Sequence, residues 1–378
     1  MRRGAPQRAL PPVDFFLAGA ARDLLRTRSD TRSLKALNVT AAGERLSARA
    51  IRARGSLPAM WRRARTSCGD QGFEGAAVAA AVERRRAGVL RAMAEVAKGL
   101  DLVVLGGGDG TVVMGLTLIA EACRGAGKPE PAIAVLRLGS GNAIADTLGA
   151  SDDPAADLAK LARGVGTWRK VPMLDVLGVR APFVGMGVDA QLLEDQAAVN
   201  RVVDRVPVAR SMIGGGARYA LSVALRSVPR FATSKRPHAI VTNRGAAALA
   251  MTKDGATGAT VATDQRLWEG ACTLVAGATI PYFGFGLKMF AFASSRMDKF
   301  HLRCGDAGLF EILRNTPAAF RGEYFSKHVT DFLCDRVTIE LDEESAIEAG
   351  GELLGRRRTV ELSIGDPVTF VSLAKIPL

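Results

Sequence analysis

At 378 residues, 48% of them hydrophobic, the chain is long enough for two domains with cores of their own and too apolar for extended disorder. The formal charge is +13, and residues 1–70 carry fifteen Lys or Arg against five Asp or Glu, a net +10 held in an N-terminal arm. No uncharged apolar run is long enough to cross a bilayer, the start lacks the apolar stretch of a secretory signal, and the five cysteines form no Cys-x-x-Cys pair. A membrane-spanning protein, a zinc centre and a thiol redox pair are therefore not expected, and the odd cysteine count suits a reducing cytosol. The basic arm suits an anionic membrane surface, at roughly 1 kcal/mol per basic residue near anionic lipid. An Arg- and Ala-rich composition with solvated side chains explains the charge equally well, and an organelle transit peptide is the remaining reading.

Taken in order, residues 1–70 give weak signals, with one helical pattern over 15–25. Over 73–98, Val78, Val82, Val89, Met93 and Val96 recur at helical intervals until Gly99 stops the pattern. A strand over 102–105, a glycine loop, a helix over 112–123 closed by Gly125, a Gly-Lys-Pro-Glu-Pro linker and a strand over 133–136 follow. Strand, helix, strand at this spacing is a parallel α/β unit. A helix is expected from Asn142 to Leu148, and Ser151-Asp-Asp-Pro154 reads as the cap of another that ends near Gly164. After Trp168 the pattern changes to short runs over 171–176, 183–188, 238–242, 272–278, 289–293 and 336–341, separated by Gly, Pro and Asn. The helices expected among them are 218–228 and 308–314. Strands without regular intervening helices indicate a β-sandwich-like second domain.

Two matched pieces organise the first domain: Leu102-Val-Val-Leu-Gly-Gly-Gly-Asp-Gly-Thr111 and Ile133-Ala-Val-Leu-Arg-Leu-Gly-Ser-Gly-Asn142. Each is a continuous apolar run, as a buried parallel strand reads, ending in glycines that let backbone approach an anion closely. A helix beginning near Asn142 would turn its positive end to the same space, so a polyphosphate is the expected guest. Asp109 is the first candidate for chemistry, because phosphoryl transfer needs an oriented acceptor hydroxyl and charge neutralisation. The alternative is that Asp109 caps the following helix, and that the glycines are turn chemistry. His238, His301 and His328 lie far apart and read as ordinary strand or surface residues. Ser140 lacks a Gly-x-Ser-x-Gly elbow, so a hydrolase is not supported.

Gly107-Gly-Asp-Gly-Thr111 paired with Gly139-Ser-Gly-Asn142 resembles the diacylglycerol kinase catalytic-domain family of lipid kinases, which includes the sphingosine kinases. The first element is shared with NAD kinases; the pair is the specific signal. The resemblance implies an α/β nucleotide-binding domain over 71–170 plus 350–378, and a β-sandwich lipid-binding domain over 171–349, after the arm at 1–70. It implies ATP and Mg²⁺, with Asp109 catalytic and metal-binding. Gly107, Gly108, Gly110, Thr111, Gly139, Ser140, Gly141 and Asn142 would then hold the nucleotide. Asp189, in Gly185-Met-Gly-Val-Asp189, falls where the family has a residue near the lipid headgroup, where it would hold an amine or a hydroxyl. The alternative is a strand-end Asp bonded to a loop. Glu352 would approach nucleotide or metal, while Gly350 stands where the family has an acid.

The opening Asn-Pro-x-x-Gly loop of the family is absent from the sequence, so either another segment supplies the first strand or that part of the pocket is missing. At Arg296-Met-Asp298-Lys299 only one acid of an Asp-Asp-Gly element remains, and a second metal is not expected. Residues 281–287 resemble the glycine-aromatic run beside the acyl cleft. The expectation is thus an ATP-dependent lipid kinase acting on a hydroxyl of diacylglycerol or a sphingoid-type lipid, cytoplasmic and peripheral to the membrane. A homodimer is left open, and no nucleic acid is expected as a partner. The rivals are an NAD kinase-like enzyme and a nucleotide- or lipid-binding protein impaired in catalysis.

Overall fold

The computed structural model describes Phe15–Gly19 and residues 100–374 other than 140, 206–225, 234, 256 and 285. The basic arm, apart from that strand, lies outside the described residues, as do the helix expected over 73–98 and most of the one over 218–228. Contacts divide the chain into two units. One takes the described residues up to 139, Leu148–Lys170 and those from Val368 on; the other takes 141–147 and Val171–Pro367.

The first unit is built on parallel strands. β1 (Phe15–Gly19) pairs with β2 (Leu102–Gly107) from Phe15↔Leu102 to Gly19↔Gly106, so the opening strand is present where the sequence suggested a helix. Its Phe-Phe-Leu run suits a strand, and the Ala- and Leu-rich residues after it misled the helical reading. β2 leads through the glycine loop into α1 (Asp109–Gly125) and then β3 (Ala132–Arg137), which pairs parallel to β2 from Leu102↔Ala132 to Gly107↔Arg137. β2 and β3 are buried on both faces, which their uninterrupted apolar sequences require. α2 (Ala143–Thr147) follows, then α3 (Pro154–Ala162), capped as expected: the Asp153 carboxylate accepts from the N–H groups of Ala155 and Ala156, both at 3.1 Å, with Pro154 in the first turn. Leu158 and Leu161 of α3 pack on Leu102, Val104, Ala134 and Leu136, with Val371 from the last strand.

The second unit is strand-rich, in agreement with the fold class read from the sequence. β4 (Thr167–Val176), β5 (Val179–Ala181) and β6 (Phe183–Gly187) precede α4 (Val188–Arg205), an 18-residue helix that the sequence reading missed. α5 (Val228–Thr233) precedes β7 (His238–Asn243), β8 (Ala248–Met251), β9 (Thr257–Val261), β10 (Arg266–Ala271), β11 (Leu274–Ala278) and β12 (Phe300–Gly305). α6 (Leu309–Arg321), β13 (Val329–Cys334), β14 (Arg336–Ala349) and β15 (Glu352–Ser372) complete the order. Within this unit the pairings β14–β6–β11–β12–β13–β8–β9 are antiparallel, and β14 also carries β7 and β15. α4 packs on β6 and β14.

Two boundaries differ from the sequence reading. Residues 289–293 form no strand but a turn-rich segment whose Phe290 stacks edge-on to Phe283 and His301 at 5.3 and 5.4 Å. The segment returning to the first unit begins at Val368 rather than Gly350, because Glu352 to Ser363 is held in the ladder with β14. Past it, Phe370 pairs parallel with Ile133.

Candidate functional site

In the first unit the ends of β2 and β3 sit side by side. Gly107 is opposite Arg137, and the Leu138 N–H donates to the Gly107 carbonyl at 3.3 Å, so the two loops leave from one edge of the sheet. The first loop is short: Gly108 occupies the N-cap of α1 with extended backbone, and its carbonyl accepts from Thr111 and Val112 at 3.0 and 3.1 Å. No side chain caps this end of a 17-residue helix. The positive end of the helix dipole thus faces this loop, an environment that favours an anion. Asp109 is not the cap; it is the first helical residue, and it is only 5% exposed. Gly107 is needed for the approach of Thr111: a methyl there would lie 2.6–2.9 Å from the Thr111 Cβ, Cγ2 and Oγ1. Gly107, Gly108, Gly110 and Thr111 remain partly open around the buried carboxylate.

Of the second loop, Gly139 closes this edge of the first unit and Ser140 lies outside the described residues. Gly141 and the buried Asn142 belong by contacts to the second unit. There the Asn142 carbonyl accepts from Asp146 at 2.8 Å to open α2, whose five residues carry only a small dipole in place of the longer helix expected.

The second unit gathers a different set. Asp189 sits in the first turn of α4, and its carboxylate folds back over Gly185, where any methyl would overlap Oδ2. The Phe283 ring closes the same spot, 3.0 Å from that methyl position. Both carboxylate oxygens are buried without a hydrogen-bond partner. Burial pushes the group from 3.8 up to about 7, against a smaller opposing pull from the backbone N–H groups of Ala190 and Asp189 itself. Cys272 is raised to about 12, first by burial and then by the Asp189 charge. Gly187 and Val188, next to Asp189 in sequence, line a cavity of about 240 Å³ together with Gln191, Arg230, Arg236 and Cys272.

Glu348 was missed by the sequence reading. It is 2% exposed, stands directly opposite Gly185 in the β14–β6 ladder, and its Oε2 accepts from the Gly351 N–H at 2.8 Å. The available signal was an acid inside the apolar run Ala346-Ile-Glu-Ala349 of a strand. Glu352, half-buried, opens β15 just beyond the turn. Gly350 and Gly351 form that turn at φ +57° and +82°, both left-handed, which is a reason for glycine at 350 independent of catalysis. The structure thus places Gly107 to Thr111 and Gly139 in the first unit, and Gly141, Asn142, Asp189 and Glu352 in the second.

Asp298 is engaged by Arg296 through Nε and Nη2 at 2.8 and 2.6 Å. Among the described residues there is no cluster of three or more His, Cys, Asp or Glu able to hold a metal by itself, and no helix long and apolar enough to cross a membrane. Asp109 as one buried carboxylate still fits Mg²⁺, an ion that keeps several waters and uses one or two carboxylates plus substrate phosphates.

The model of the diacylglycerol kinase catalytic domain matches residues 54–174. No curated protein matches the chain. A putative diacylglycerol kinase from Bacillus anthracis str. Sterne is similar in structure at a TM-score of 0.51 and 15% identity, over 76% of this chain and 83% of that one. A diacylglycerol kinase structure from the same organism gives 0.49 at 15% identity, over 75% and 81%. An NAD kinase from Archaeoglobus fulgidus in complex with ATP gives 0.34 at 12%, over 74% and 81%.

Proposed function

We propose that this chain is an ATP- and Mg²⁺-dependent lipid kinase that transfers a phosphoryl group to a hydroxyl of a diacylglycerol or sphingoid-type lipid. The observation that carries the reading is the glycine loop ending β2, with buried Asp109 at the start of a helix that no side chain caps. The match of residues 54–174 to the diacylglycerol kinase catalytic domain supports it. In this reading the first-turn N–H groups of α1 and the Thr111 hydroxyl bind phosphate oxygens, and Gly107 and Gly108 let backbone come close to them. Asp109 either takes the proton of the acceptor hydroxyl or holds the metal. Mg²⁺, when bound, would neutralise charge on the transferring phosphate.

Asp189 has the role of holding the polar head of the lipid. A carboxylate buried beside Phe283 with no side-chain donor offers an acceptor to an amine or a hydroxyl brought in by substrate. Glu348 and Glu352, flanking the turn after β14, are the further acids of this region.

The test is incubation of the chain with labelled ATP and Mg²⁺ against separate micelles of diacylglycerol, sphingosine and phosphatidylglycerol. A labelled phospholipid is expected from one of the first two. No product with any lipid, while ATP still binds, would reject the kinase in favour of a nucleotide-binding protein; phosphorylation of NAD would favour the NAD kinase-like reading. Asp109→Asn is expected to lower turnover by about 10²–10⁴-fold with the fold intact, and a wild-type rate would remove Asp109 from the mechanism.

A further inference from the structure

Helix α6 turns several large apolar side chains outward. Phe310, Leu313 and Phe320 are 79%, 55% and 46% exposed, and with the exposed Pro317 they recur at intervals of three, four and three, which places them on one face. The polar side chains are engaged instead. Glu311, the helix's single acid, has Oε1 bonded by the Tyr324 and Ser326 hydroxyls. The Asn315 amide donates to the Glu311 carbonyl at 2.8 Å, and the Thr316 hydroxyl to that of Ile312 at 2.9 Å. The outer face therefore shows no carboxylate of the helix, and its charged members are the exposed Arg314 and Arg321. Lys288 adds a third cation near the carboxyl end, where its backbone N–H donates to Ala319 at 3.0 Å. Glu323 pairs with Arg321 at 2.7 Å, but both are more than half exposed, so that pair holds the arginine weakly.

A stripe of two phenylalanines and a leucine in water is unusual on a protein surface and marks an interaction site. We propose that the outer face of α6 docks on an anionic lipid bilayer, with Phe310, Leu313 and Phe320 entering the headgroup–acyl boundary and Arg314, Arg321 and Lys288 meeting lipid phosphates. Charge complementarity selects this occupant: apolar residues flanked by cations are the composition of a helix lying in a membrane interface. The position also has a consequence inside the unit. The Phe320 ring lies 4.0 Å from a methyl position on Gly286, and Phe283 of the same loop packs edge-on against Phe183 at 5.3 Å and covers Asp189. One loop thus has the docking helix on one side and the buried carboxylate on the other.

The surface requires no phosphoryl transfer, so it is tested without nucleotide. Full-length Phe310→Trp is mixed with phosphatidylglycerol–phosphatidylcholine vesicles whose acyl chains are brominated, the wild type with its three tryptophans serving as reference. Additional quenching at position 310 is expected, and its absence overturns the proposal. Phe310→Ser/Leu313→Ser, at positions already in solvent, should keep the melting temperature and lose roughly tenfold or more in vesicle partitioning. If the double variant instead converts a dimer to a monomer and no quenching occurs, the face belongs to a second copy and the proposal fails. Quenching without any lipid product rejects the kinase reading alone; product from micelles without quenching rejects the docking face alone.

Discussion

Asp331 and Asp189 lie in the same strand-rich unit, both shielded from water, and the fold treats their carboxylates in opposite ways. Asp331 receives Arg303 through Nε at 2.7 Å and Nη2 at 2.9 Å, and His301 Nε2 lies 2.8 Å away. Burial pushes Asp331 up, but the hydrogen bonds from His301 and Arg303 outweigh it and bring the group down to about 2. Asp195, six residues beyond Asp189 on α4, is likewise served, by Arg226 Nε at 2.8 Å, the Ser227 hydroxyl at 2.9 Å and Arg230 Nη1 at 3.0 Å. Asp189 has no such donor and stands at about 7. Where a buried acid serves the structure, the chain supplies its donors. Where it supplies none, the carboxylate keeps its proton to higher pH, and the cost is borne by stability.

The largest effect is expected from removing the satisfied charge. Asp331→Asn leaves the Arg303 guanidinium buried without its counter-charge, a change that typically costs about 3–5 kcal/mol. Urea unfolding at neutral pH measures it, and a loss below about 1 kcal/mol would mean that Arg303 finds another partner. The pH dependence carries a sign of its own. The folded value of Asp331 lies below its unfolded 3.8, so its contribution is present above pH 4 and is lost as pH falls toward 2, about 2 kcal/mol in all.

Asp189 should behave with the reverse sign. Its folded value is above the unfolded 3.8, so the folded state holds the proton more tightly, and stability falls as pH rises from about 4 to about 7. Asp189→Asn removes that loss: little change is expected at pH 4, and a gain of up to about 4 kcal/mol at pH 9. If Asp189 holds the lipid head, the same variant should phosphorylate lipid at least roughly tenfold more slowly. More stable and less active is the expected pair; a variant destabilised at pH 9 would show that Asp189 has a structural partner after all.

Gly185→Ala comes next in size. Its methyl occupies the volume of Asp189 Oδ2, so the carboxylate must leave its bed under Phe283, at an overpacking cost of about 1–3 kcal/mol. The displaced group should titrate nearer the ordinary carboxylate range, and the slope of stability between pH 4 and pH 7 should flatten. An unchanged slope with unchanged stability would place the Asp189 carboxylate elsewhere.

The contrast also explains how far the sequence could be read. The strand, glycine loop and helix at 102–125 were legible because their signals stand in a row: an apolar strand, glycines for a close turn and an acid at the helix start. The Asp153 cap was legible for the same reason, since its partners are two and three residues away. The bed of Asp189 is built from Gly185, Phe283 and the register that sets Glu348 opposite Gly185, positions as far as 163 residues apart in the chain, which no local pattern connects. β1 was read as helix because five residues of strand are too few to outweigh the Ala- and Leu-rich stretch after them. α4 was passed over because its polar residues lower its hydropathy. The 350 boundary was misplaced because a strand 21 residues long continues through both units.

The smallest effect is expected at the turn where the lipid-kinase pattern would carry an acid. Gly350 has φ +57°, a left-handed conformation that Asp tolerates better than most residues, so Gly350→Asp should cost about 1 kcal/mol or less. The turn already holds a buried carboxylate, because Glu348 accepts from the Gly351 N–H. A new acid two residues away adds charge beside Glu348 rather than a missing partner. Lipid phosphorylation is therefore expected to stay within about twofold of wild type, the rate following the small change in stability. A rise of tenfold or more would show that the second unit lacks a catalytic acid that Glu348 and Glu352 do not replace, and glycine at 350 would then mark lost chemistry rather than the geometry of a two-residue turn.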